Sequence, residues 1–310
     1  MTPVRHSLLT RVFATMPQTT ATPRSPRSPR PAVVVAVDFD KTLTVQDTVA
    51  QVVAAASSHN HPQTPSFDSL VDAYTQDLAT HQSIWAPKIS NHVATSSVTV
   101  GFLQTYLDSH RTIEHASLAR ISASKLMAGV SRKDFSIAAA KNVCFQPGAS
   151  TALRRFLHLR LSTYIVSVNW SEDFIRGALH ANGVEDAEHI KIICNDPAFD
   201  CKTGLSTGEL VPRITVAGDK VEAIREIRRS VQESNTHVPF IVYVGDSLTD
   251  LPALIDADLG FVIGNNSSVM SWCRWLDLLP QPELPPGSLR FTNSWPDIEN
   301  AVVQKVLHNK

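Results

Sequence analysis

Five short runs of continuously apolar, largely β-branched residues constrain the fold of this 310-residue chain more than any other feature. A strand that is apolar at every position is buried on both faces, as strands of a parallel sheet are. Four stretches with helical character, 149–161, 171–180, 220–231 and 249–257, alternate with the later runs. Strands that alternate with helices predict an α/β fold with a doubly wound parallel sheet. The predicted strands are 32–37, 164–168, 190–193, 240–244 and 259–263.

Two segments interrupt this alternation. From about residue 45 to residue 141 no convincing buried strand is visible, and the apolar residues have mostly helical spacing, which predicts a helical domain inserted after the first strand. Residues 194–210 contain Asp-Pro and two Thr-Gly pairs, which indicate a hairpin at the sheet edge. We therefore divide the chain into a core, 32–45 and 142–310, and a helical insertion, 46–141.

The first 31 residues differ in composition from the rest. They contain five arginines, no acidic residue and the low-complexity run PRSPRSPRP. Two interpretations remain open, a disordered tail and a mitochondrial targeting peptide. The four cysteines form no CxxC pair and are expected to be reduced thiols. This favours an intracellular protein, with the cytoplasm as the expected compartment and the mitochondrion as the alternative.

The overall charge excludes some classes of partner. The chain is 43% hydrophobic and 18% charged, with a formal net charge of -1. This balance gives no electrostatic reason to expect binding to nucleic acid or to an anionic membrane. The longest aliphatic run is also far shorter than the roughly 20 residues that a membrane-spanning helix requires. We expect no nucleic acid and no membrane partner.

Acidic and hydroxyl side chains follow the predicted strands. Asp38 and Asp40 end the first run, Ser167 lies near the end of the second, and Asp246 and Asp250 follow the run 240–244. Residues two apart on a strand point the same way, with Cα atoms roughly 6–7 Å apart. Clustered carboxylates raise one another's pKa or bind a cation, and oxygen-only donors favour Mg²⁺ over zinc. The alternative is that these aspartates are ordinary loop acids and helix caps.

These residues resemble the motifs of one family. DFDKTLT is similar to the DxDxT motif of the haloacid dehalogenase-like phosphatases, and VGDSLTD is similar to their GDxxxD motif. Between these two motifs, the family has one motif that ends in Ser or Thr and one that contains a lysine. Ser167 and Lys220 match these two residues, in the same order. The resemblance implies a Rossmann-like doubly wound parallel sheet with an inserted α-helical cap domain.

The resemblance also implies a mechanism of two carboxylates. Asp38 would be the nucleophile that forms an aspartyl phosphate. Asp40 would protonate the leaving oxygen and then activate the hydrolytic water. Thr42 would fix the loop after the first strand through its hydroxyl group.

The remaining motif residues would hold a cation and the phosphate. Mg²⁺ would be bound by Asp38, the backbone carbonyl of Asp40 and Asp246, with Asp250 in support. Ser167 and Lys220 would bind phosphate oxygens. From the residues alone, Lys220 could equally begin a solvated helix that is capped by Asp219.

The insertion resembles the cap of the phosphoserine-phosphatase-like branch. Several core segments are closer to plant-type thiamin monophosphate phosphatases and their stand-alone fungal-type relatives. Phosphoserine phosphatases have two glycines after the motif serine, whereas this chain has Val168, Asn169 and Trp170. Asn169, Trp170 and Asp47 are therefore candidates for substrate contact, although Trp170 could lie in the core and Asp47 could begin a helix. Cap residues Tyr74, Trp85 and Phe102 could stack on a heterocycle or pack internally.

The sequence thus predicts a Mg²⁺-dependent phosphatase for a small phosphorylated metabolite, with thiamin monophosphate as the leading candidate. Phosphoserine and pyridoxal phosphate are alternative substrates. A catalytically silent binding or regulatory protein on the same fold is the alternative function.

Overall fold

The computed structural model of the protein describes residues 32–56, 65–233, 237–279 and 289–308. The N-terminal segment 1–31 lies outside the described residues. The strands are β1 (Val33–Val37), β2 (Ala128–Ser131), β3 (Ser162–Val166), β4 (Lys191–Ile193), β5 (Asp196–Phe199), β6 (Leu205–Val211), β7 (Phe240–Gly245), β8 (Leu259–Ile263) and β9 (Leu289–Thr292).

Helices account for most of the remaining described residues. They are α1 (Val49–Ala54), α2 (Phe67–Ala94), α3 (Val100–Asp108), α4 (Arg111–Ser124), α5 (Arg132–Asn142), α6 (Ala149–His158), α7 (Glu172–Ala181), α8 (Ala217–Glu233), α9 (Leu251–Asp256), α10 (Ser267–Trp275) and α11 (Trp295–His308). Among the described residues, no helix is both long and apolar enough to cross a membrane.

Six strands form one parallel sheet in the order β4-β3-β1-β7-β8-β9. Alternate residues of β1 enter two separate hydrophobic cores: Val33, Val35 and Val37 pack on one face, and Val34 and Ala36 pack on the other. Residues of α6, α7 and α11 belong to the first core, and residues of α8, α9 and α10 belong to the second. This double coverage explains why β1 is apolar at every position. The predicted doubly wound parallel sheet is confirmed.

The sheet contains one strand that the sequence analysis did not predict. All five predicted runs form parallel strands, with ends displaced by at most two residues. The sixth strand, β9, has the sequence LRFT and pairs in parallel with β8. Four residues that include an arginine carry little of the apolar signal on which the other predictions depend.

The segment between β1 and α6 contains helices α1 to α5, as expected, but also the strand β2. The expectation of helical spacing throughout was wrong for residues 125–131, which follow the end of α4 at Ser124. Helix α4 ends there because Lys125 adopts a left-handed conformation with φ 55°. Strand β2 then pairs with β6 of the predicted hairpin, so β2, β6 and β5 form a separate antiparallel sheet. The hairpin therefore joins the insertion to the core.

Helices α5 and α7 provide a second close contact between insertion and core. A Cβ atom on Gly177 of α7 would lie 2.5 Å from the Cα atom and 2.6 Å from the carbonyl oxygen of Ser136 in α5. Real Cβ atoms do not approach other atoms so closely, so only glycine allows the two backbones to meet here.

Candidate active site

The carboxyl ends of the central strands bring the predicted site residues to one edge of the sheet. Strand β1 lies between β3 and β7, so Asp38, Ser167 and Asp246 each leave the sheet beside a neighbour. Crevices at this edge are where open α/β sheets bind ligands. After β1, Phe39 is fully buried in the core and Lys41 adopts a left-handed conformation with φ 59°. Such a conformation is strained for a side-chain-bearing residue and reverses the chain immediately after the strand.

A buried lysine links two of the aspartates. Lys220, near the start of α8, is 1% exposed. Its Nζ atom donates hydrogen bonds to Asp38 Oδ1 at 2.8 Å and to Asp250 Oδ1 at 2.7 Å. One carboxylate oxygen from each of Asp38, Asp246 and Asp250 lies within 4.8 Å of the others. The alternative interpretation of Lys220 as a solvated helix residue is wrong.

The two aspartates of the GDSLTD sequence have different surroundings. Asp250 accepts hydrogen bonds from Lys220, from the Tyr243 hydroxyl at 2.8 Å, and from the backbone and hydroxyl of Ser247 at 3.1 and 2.6 Å. Asp246 accepts one from the Thr42 hydroxyl at 3.2 Å, and that hydroxyl also lies 3.3 Å from Asp38 Oδ2. Both Asp250 oxygens are therefore occupied by donors, whereas Asp246 retains free acceptor positions.

Gly245 makes the position of Asp250 sterically possible. A Cβ atom at residue 245 would lie 2.5 Å from the Cβ atom of Asp250. The glycine of the GDSLTD sequence therefore permits the aspartate to fold back against the end of β7.

The cluster holds three carboxylates and one ammonium group in a buried space. Burial raises the pKa of Asp38 well above its ordinary value, against the lowering effect of Lys220, and the charges of Asp250 and Asp246 raise it further. Burial and the charge of Asp250 raise the pKa of Asp246 to about 7. Burial by itself would lower the pKa of Lys220, but Asp250 and Asp38 raise it above its usual value, so the ammonium group stays charged. One ammonium group therefore faces three carboxyl groups, and the cluster lacks compensating positive charge.

This donor set fits a magnesium ion. The three carboxylates offer only oxygen donors, and a crowded group of buried anions is stabilised by a divalent cation. Asp38 and Asp246 have the acceptor positions to hold the ion. Both oxygens of Asp250 already accept hydrogen bonds, so this residue is suited to holding Lys220 in place.

Asp40 lies in a separate hydrogen-bond network. Its Oδ1 atom accepts from the backbone N–H of Thr48 at 2.8 Å and from the Thr48 hydroxyl at 2.6 Å. Its Oδ2 atom accepts from the side-chain amide of Asn169 at 3.1 Å. Burial raises the pKa of Asp40, although the hydrogen bonds from Thr48 and Asn169 partly lower it.

The remaining predicted residues lie around these two groups. Ser167 is fully buried, and its hydroxyl accepts a hydrogen bond from the backbone N–H of Asn169 at 3.1 Å. Asn169 also has no exposed surface, and its side-chain amide donates hydrogen bonds to Asp40 and Thr48. Asp47 and Trp170 line a cavity beside them.

The cavity, of about 420 Å³, lies between the insertion and the core. Two of its lining residues, Asp47 and Trp170, are the sequence neighbours of Thr48 and Asn169, which hydrogen-bond Asp40. Most of its lining is apolar or aromatic, and two side chains are acidic. The lining includes Asp47, Phe67, Leu70, Tyr74, Glu114, Leu118, Ile121, Val168, Trp170 and Ile214.

Glu114 is the more enclosed of the two acids in the cavity. The Tyr74 hydroxyl donates a hydrogen bond to its Oε1 atom at 2.7 Å. Burial raises the pKa of Glu114, and this hydrogen bond lowers it in part. In the part of the chain that the structure describes, no lysine or arginine forms an ion pair with Glu114. The carboxyl group therefore faces an aromatic cavity without a cationic partner.

Of the three aromatic cap residues considered from the sequence, Tyr74 alone lines this cavity. Trp85 and Phe102 pack against each other with ring centroids 6.2 Å apart, and Phe102 packs against Trp272 at 6.1 Å. Tyr243, which binds Asp250, was missed because a tyrosine inside an apolar run has the pattern of a core residue. Glu114 follows no motif spacing that singles it out.

Sequence relatives support the resemblance. The chain is 24% identical over 255 residues to a bifunctional TH2 protein, mitochondrial, of Arabidopsis thaliana, which covers 76% of this chain and 40% of that protein. The chain thus spans less than half of that relative. It is 27% identical over 241 residues to a CTO1 family protein of Schizosaccharomyces pombe, covering 74% of this chain and 81% of the relative. No protein-family model matches the chain.

Solved structures share the fold. A substrate-bound phosphoserine phosphatase superposes with a TM-score of 0.50 at 13% identity, over 87% of this chain and 98% of the other. A cytosolic 5'-nucleotidase IIIB bound to cytidine gives a TM-score of 0.53 at 12% identity, over 89% of this chain and 86% of the other. The chain therefore shares its fold with a phosphoserine phosphatase and with a cytosolic 5'-nucleotidase.

Proposed function

We propose that the chain is a Mg²⁺-dependent phosphatase that hydrolyses a small-metabolite phosphomonoester through an aspartyl phosphate on Asp38. The observation that carries this proposal is the buried contact of Lys220 with Asp38, next to Asp246. A charged lysine beside two carboxylates is what an anionic phosphate and its cation require. Asp38, Asp246 and the backbone carbonyl of Asp40 would hold a metal ion, which would supply positive charge that offsets repulsion between the phosphate and Asp38.

In the first step, a carboxylate oxygen of Asp38 attacks phosphorus, and the bond between phosphorus and the ester oxygen breaks. Lys220 and Thr42 orient Asp38, and Lys220 with Ser167 holds phosphate oxygens. Asp40 gives its proton to the departing ester oxygen, so that an alcohol leaves in place of an alkoxide.

In the second step, Asp40 takes a proton from a water molecule. The water oxygen attacks phosphorus, the bond from phosphorus to Asp38 breaks, and inorganic phosphate leaves. Both aspartates return to their starting states, which completes the cycle.

The cavity beside Asp40 supports a flat, cationic leaving group. The alcohol must depart on the side of the proton donor, and the cavity lies on that side. Aromatic walls attract cations through their π faces, and Glu114 with Asp47 would supply the negative charge. These features agree with the resemblance to thiamin monophosphate phosphatases, since thiamin monophosphate carries a positively charged heterocycle. Phosphoserine presents a carboxylate, which has no lysine or arginine to meet in this lining.

The test is phosphate release from thiamin monophosphate, pyridoxal phosphate, phosphoserine and para-nitrophenyl phosphate, each with Mg²⁺ and with EDTA. We expect chelator-sensitive turnover, the highest kcat/KM for thiamin monophosphate, and loss of turnover in Asp38→Asn. Higher kcat/KM for phosphoserine would reject the substrate and leave the reaction intact. The alternative, a catalytically silent binding protein, predicts that thiamin monophosphate binds with no release of phosphate from any ester.

We propose the cytoplasm as the compartment, with the mitochondrion as the alternative. The arginine-rich, acid-free segment 1–31 supports the alternative, as does the mitochondrial TH2 relative. Two fluorescent fusions distinguish the two compartments by imaging: one to the full chain and one to residues 1–31 alone. Import of both fusions would reject the cytoplasmic assignment.

A further inference from the structure

The hydrogen bonds around Asp40 involve three side chains that are almost completely buried. Asp40 is 9% exposed, and Thr48 and Asn169 are fully buried. The Asn169 Nδ2 atom lies 3.1 Å from Asp40 Oδ2 and 3.0 Å from Thr48 Oγ1. A buried amide must satisfy its hydrogen bonds inside the protein. Asn169 therefore makes its contacts with Asp40 and Thr48 and leaves no surface for the substrate.

The orientation of the Asn169 amide is determined by its neighbours. Its Oδ1 atom accepts from the backbone N–H of Ser171 at 3.3 Å, so its nitrogen faces Asp40. The opposite orientation would place two oxygens against each other. The Thr48 hydroxyl donates to Asp40, so it can only accept from Asn169. The two hydrogens of the amide are then both used, one for Asp40 Oδ2 and one for Thr48 Oγ1.

This pattern makes the two oxygens of Asp40 different. Oδ1 receives two donors, the N–H and the O–H of Thr48, which occupy both of its lone pairs. Oδ2 receives one donor, from Asn169, and retains a free lone pair. A proton that is passed to and from the substrate must be carried on an oxygen with a free position.

We propose that Asn169 is a positioning residue that, together with Thr48, holds the Asp40 carboxyl group so that Oδ2 is the oxygen that exchanges the proton with the leaving group. This inference rests on the proposed phosphatase function. It assigns Asn169 to the acid and not to the substrate, in contrast to the expectation from sequence. Loss of the amide would let the carboxyl group rotate and would weaken proton delivery without altering Asp38 or Lys220.

A misplaced general acid has an effect that depends on the leaving group. An ester with an acidic alcohol departs without a proton, whereas one with a weakly acidic alcohol needs it. Positioned acids contribute roughly 10²- to 10⁴-fold. A series of substituted phenyl phosphates varies the acidity of the alcohol at nearly constant shape. The slope of log kcat/KM against the leaving-group pKa therefore reports proton delivery in the step that forms the aspartyl phosphate.

The test compares this slope for the wild type and for Asn169→Leu, which has similar volume and no donors. We expect a steeper slope, with about a 100-fold loss for the least acidic phenol and less than about a 5-fold loss for para-nitrophenol. Thr48→Val, which removes one donor and keeps the backbone N–H, should steepen the slope by a smaller amount. It also provides the measurement if Asn169→Leu does not fold.

The matched control is Asn182→Leu. Asn182 is a half-buried asparagine directly after the end of α7 that donates to Val143 O and Ala178 O, and it forms no hydrogen bond with Asp40. It should lose stability and keep the wild-type slope. Parallel losses for all phenols in Asn169→Leu and Thr48→Val would overturn the inference and leave the phosphatase function intact. An inactive wild type would overturn both. A loss confined to thiamin monophosphate would restore Asn169 as a substrate contact.

Discussion

At the scale of single residues, the site is dominated by an imbalance of charge. Asp38, Asp246 and Asp250 surround one ammonium group, and all four are largely withdrawn from water. Buried charges without full compensation destabilise a folded protein. The same arrangement that prepares the site for a cation and a phosphate should therefore weaken the chain when neither is bound.

We expect Mg²⁺ to raise the melting temperature of the wild type relative to EDTA, because the ion binds the folded state and compensates its carboxylates. Asp246→Asn should reduce this increment by at least half. The control is Glu188→Gln, from an exposed group formed by Asp186, Glu188 and His189 with the same spacing of ligand atoms. Differential scanning calorimetry measures the Mg²⁺-dependent increase in melting temperature for both variants. An equal loss of the increment in the control would show that Mg²⁺ acts through surface charge.

Glu114 provides a prediction on substrate selectivity. Glu114→Gln keeps the shape of the side chain and removes the charge, so kcat/KM for thiamin monophosphate should fall by roughly 10-fold, or about 1.4 kcal/mol. An uncharged aryl phosphate should lose less than about 2-fold. Tyr74→Phe, which removes only the hydrogen bond to Glu114, is the matched control and should have a smaller effect. Equal losses for both esters would contradict a role of Glu114 in binding a cation.

Asp196 gives a pH-dependent prediction outside the site. Burial and the charges of Asp173 and Glu172 raise its pKa from 3.8 to about 6 in the folded protein. The folded state then binds more protons than the unfolded state between these values, so this group's stability contribution is lost as pH rises through about 6. Asp196→Asn retains the acceptor for the Glu172 N–H. Its melting temperature should exceed that of the wild type at pH 7, and the difference should vanish near pH 4. A constant difference across this range would contradict the assignment.

At the scale of elements, the insertion is held to the core by contacts that tolerate little change. Helices α5 and α7 meet at Gly177, and β2 pairs with β6. Gly218 lies at the start of α8, the helix that carries Lys220, and its backbone N–H donates a hydrogen bond at 2.9 Å to Asp108 at the end of α3. These contacts connect the position of the insertion with the position of Lys220.

Gly177→Ala tests the contact between the two helices. The added methyl group would overlap the backbone of Ser136, so we expect a loss of about 1–3 kcal/mol in the free energy of unfolding. The matched control is Gly101→Ala in α3, where the nearest atom to a new Cβ lies 3.8 Å away. That change should stabilise the protein by up to about 1 kcal/mol, because alanine favours helices. Chemical denaturation measures both, and a neutral result at residue 177 would mean that the helices can separate.

The elements also show what the sequence could predict. Strands β1, β7 and β8 were recognisable because burial on both faces leaves an uninterrupted apolar run. Strands β2 and β9 were not, since four residues with glycine, serine or arginine carry no such pattern and depend on pairing partners distant in sequence. The motif aspartates were found through their place after strands. Thr48, Asn169 and Tyr243 have their roles through hydrogen bonds that form only when separate segments meet, and no local spacing encodes those.

At the scale of the whole molecule, the order of the sheet places the earliest strand at its centre. Strand β1 pairs with β3, which begins at residue 162, and with β7, which ends at residue 245. At 5–20 residues per second, a ribosome needs roughly 10–40 s to add the residues between β1 and the end of β7. For that interval the apolar run Val33–Val37 has at least one unpaired edge.

The consequence concerns how the chain folds during synthesis. Pairing between strands that are far apart in the sequence slows folding, and an exposed apolar strand promotes association between chains. We expect chains ending at residue 233, which lack β7, to remain sensitive to protease and to bind chaperones, whereas the full chain resists. Protease resistance of that fragment would contradict this. The central place of β1, which lets neighbouring strands bring side chains beside Asp38, thus delays completion of the sheet and prolongs the interval in which the nascent chain can aggregate.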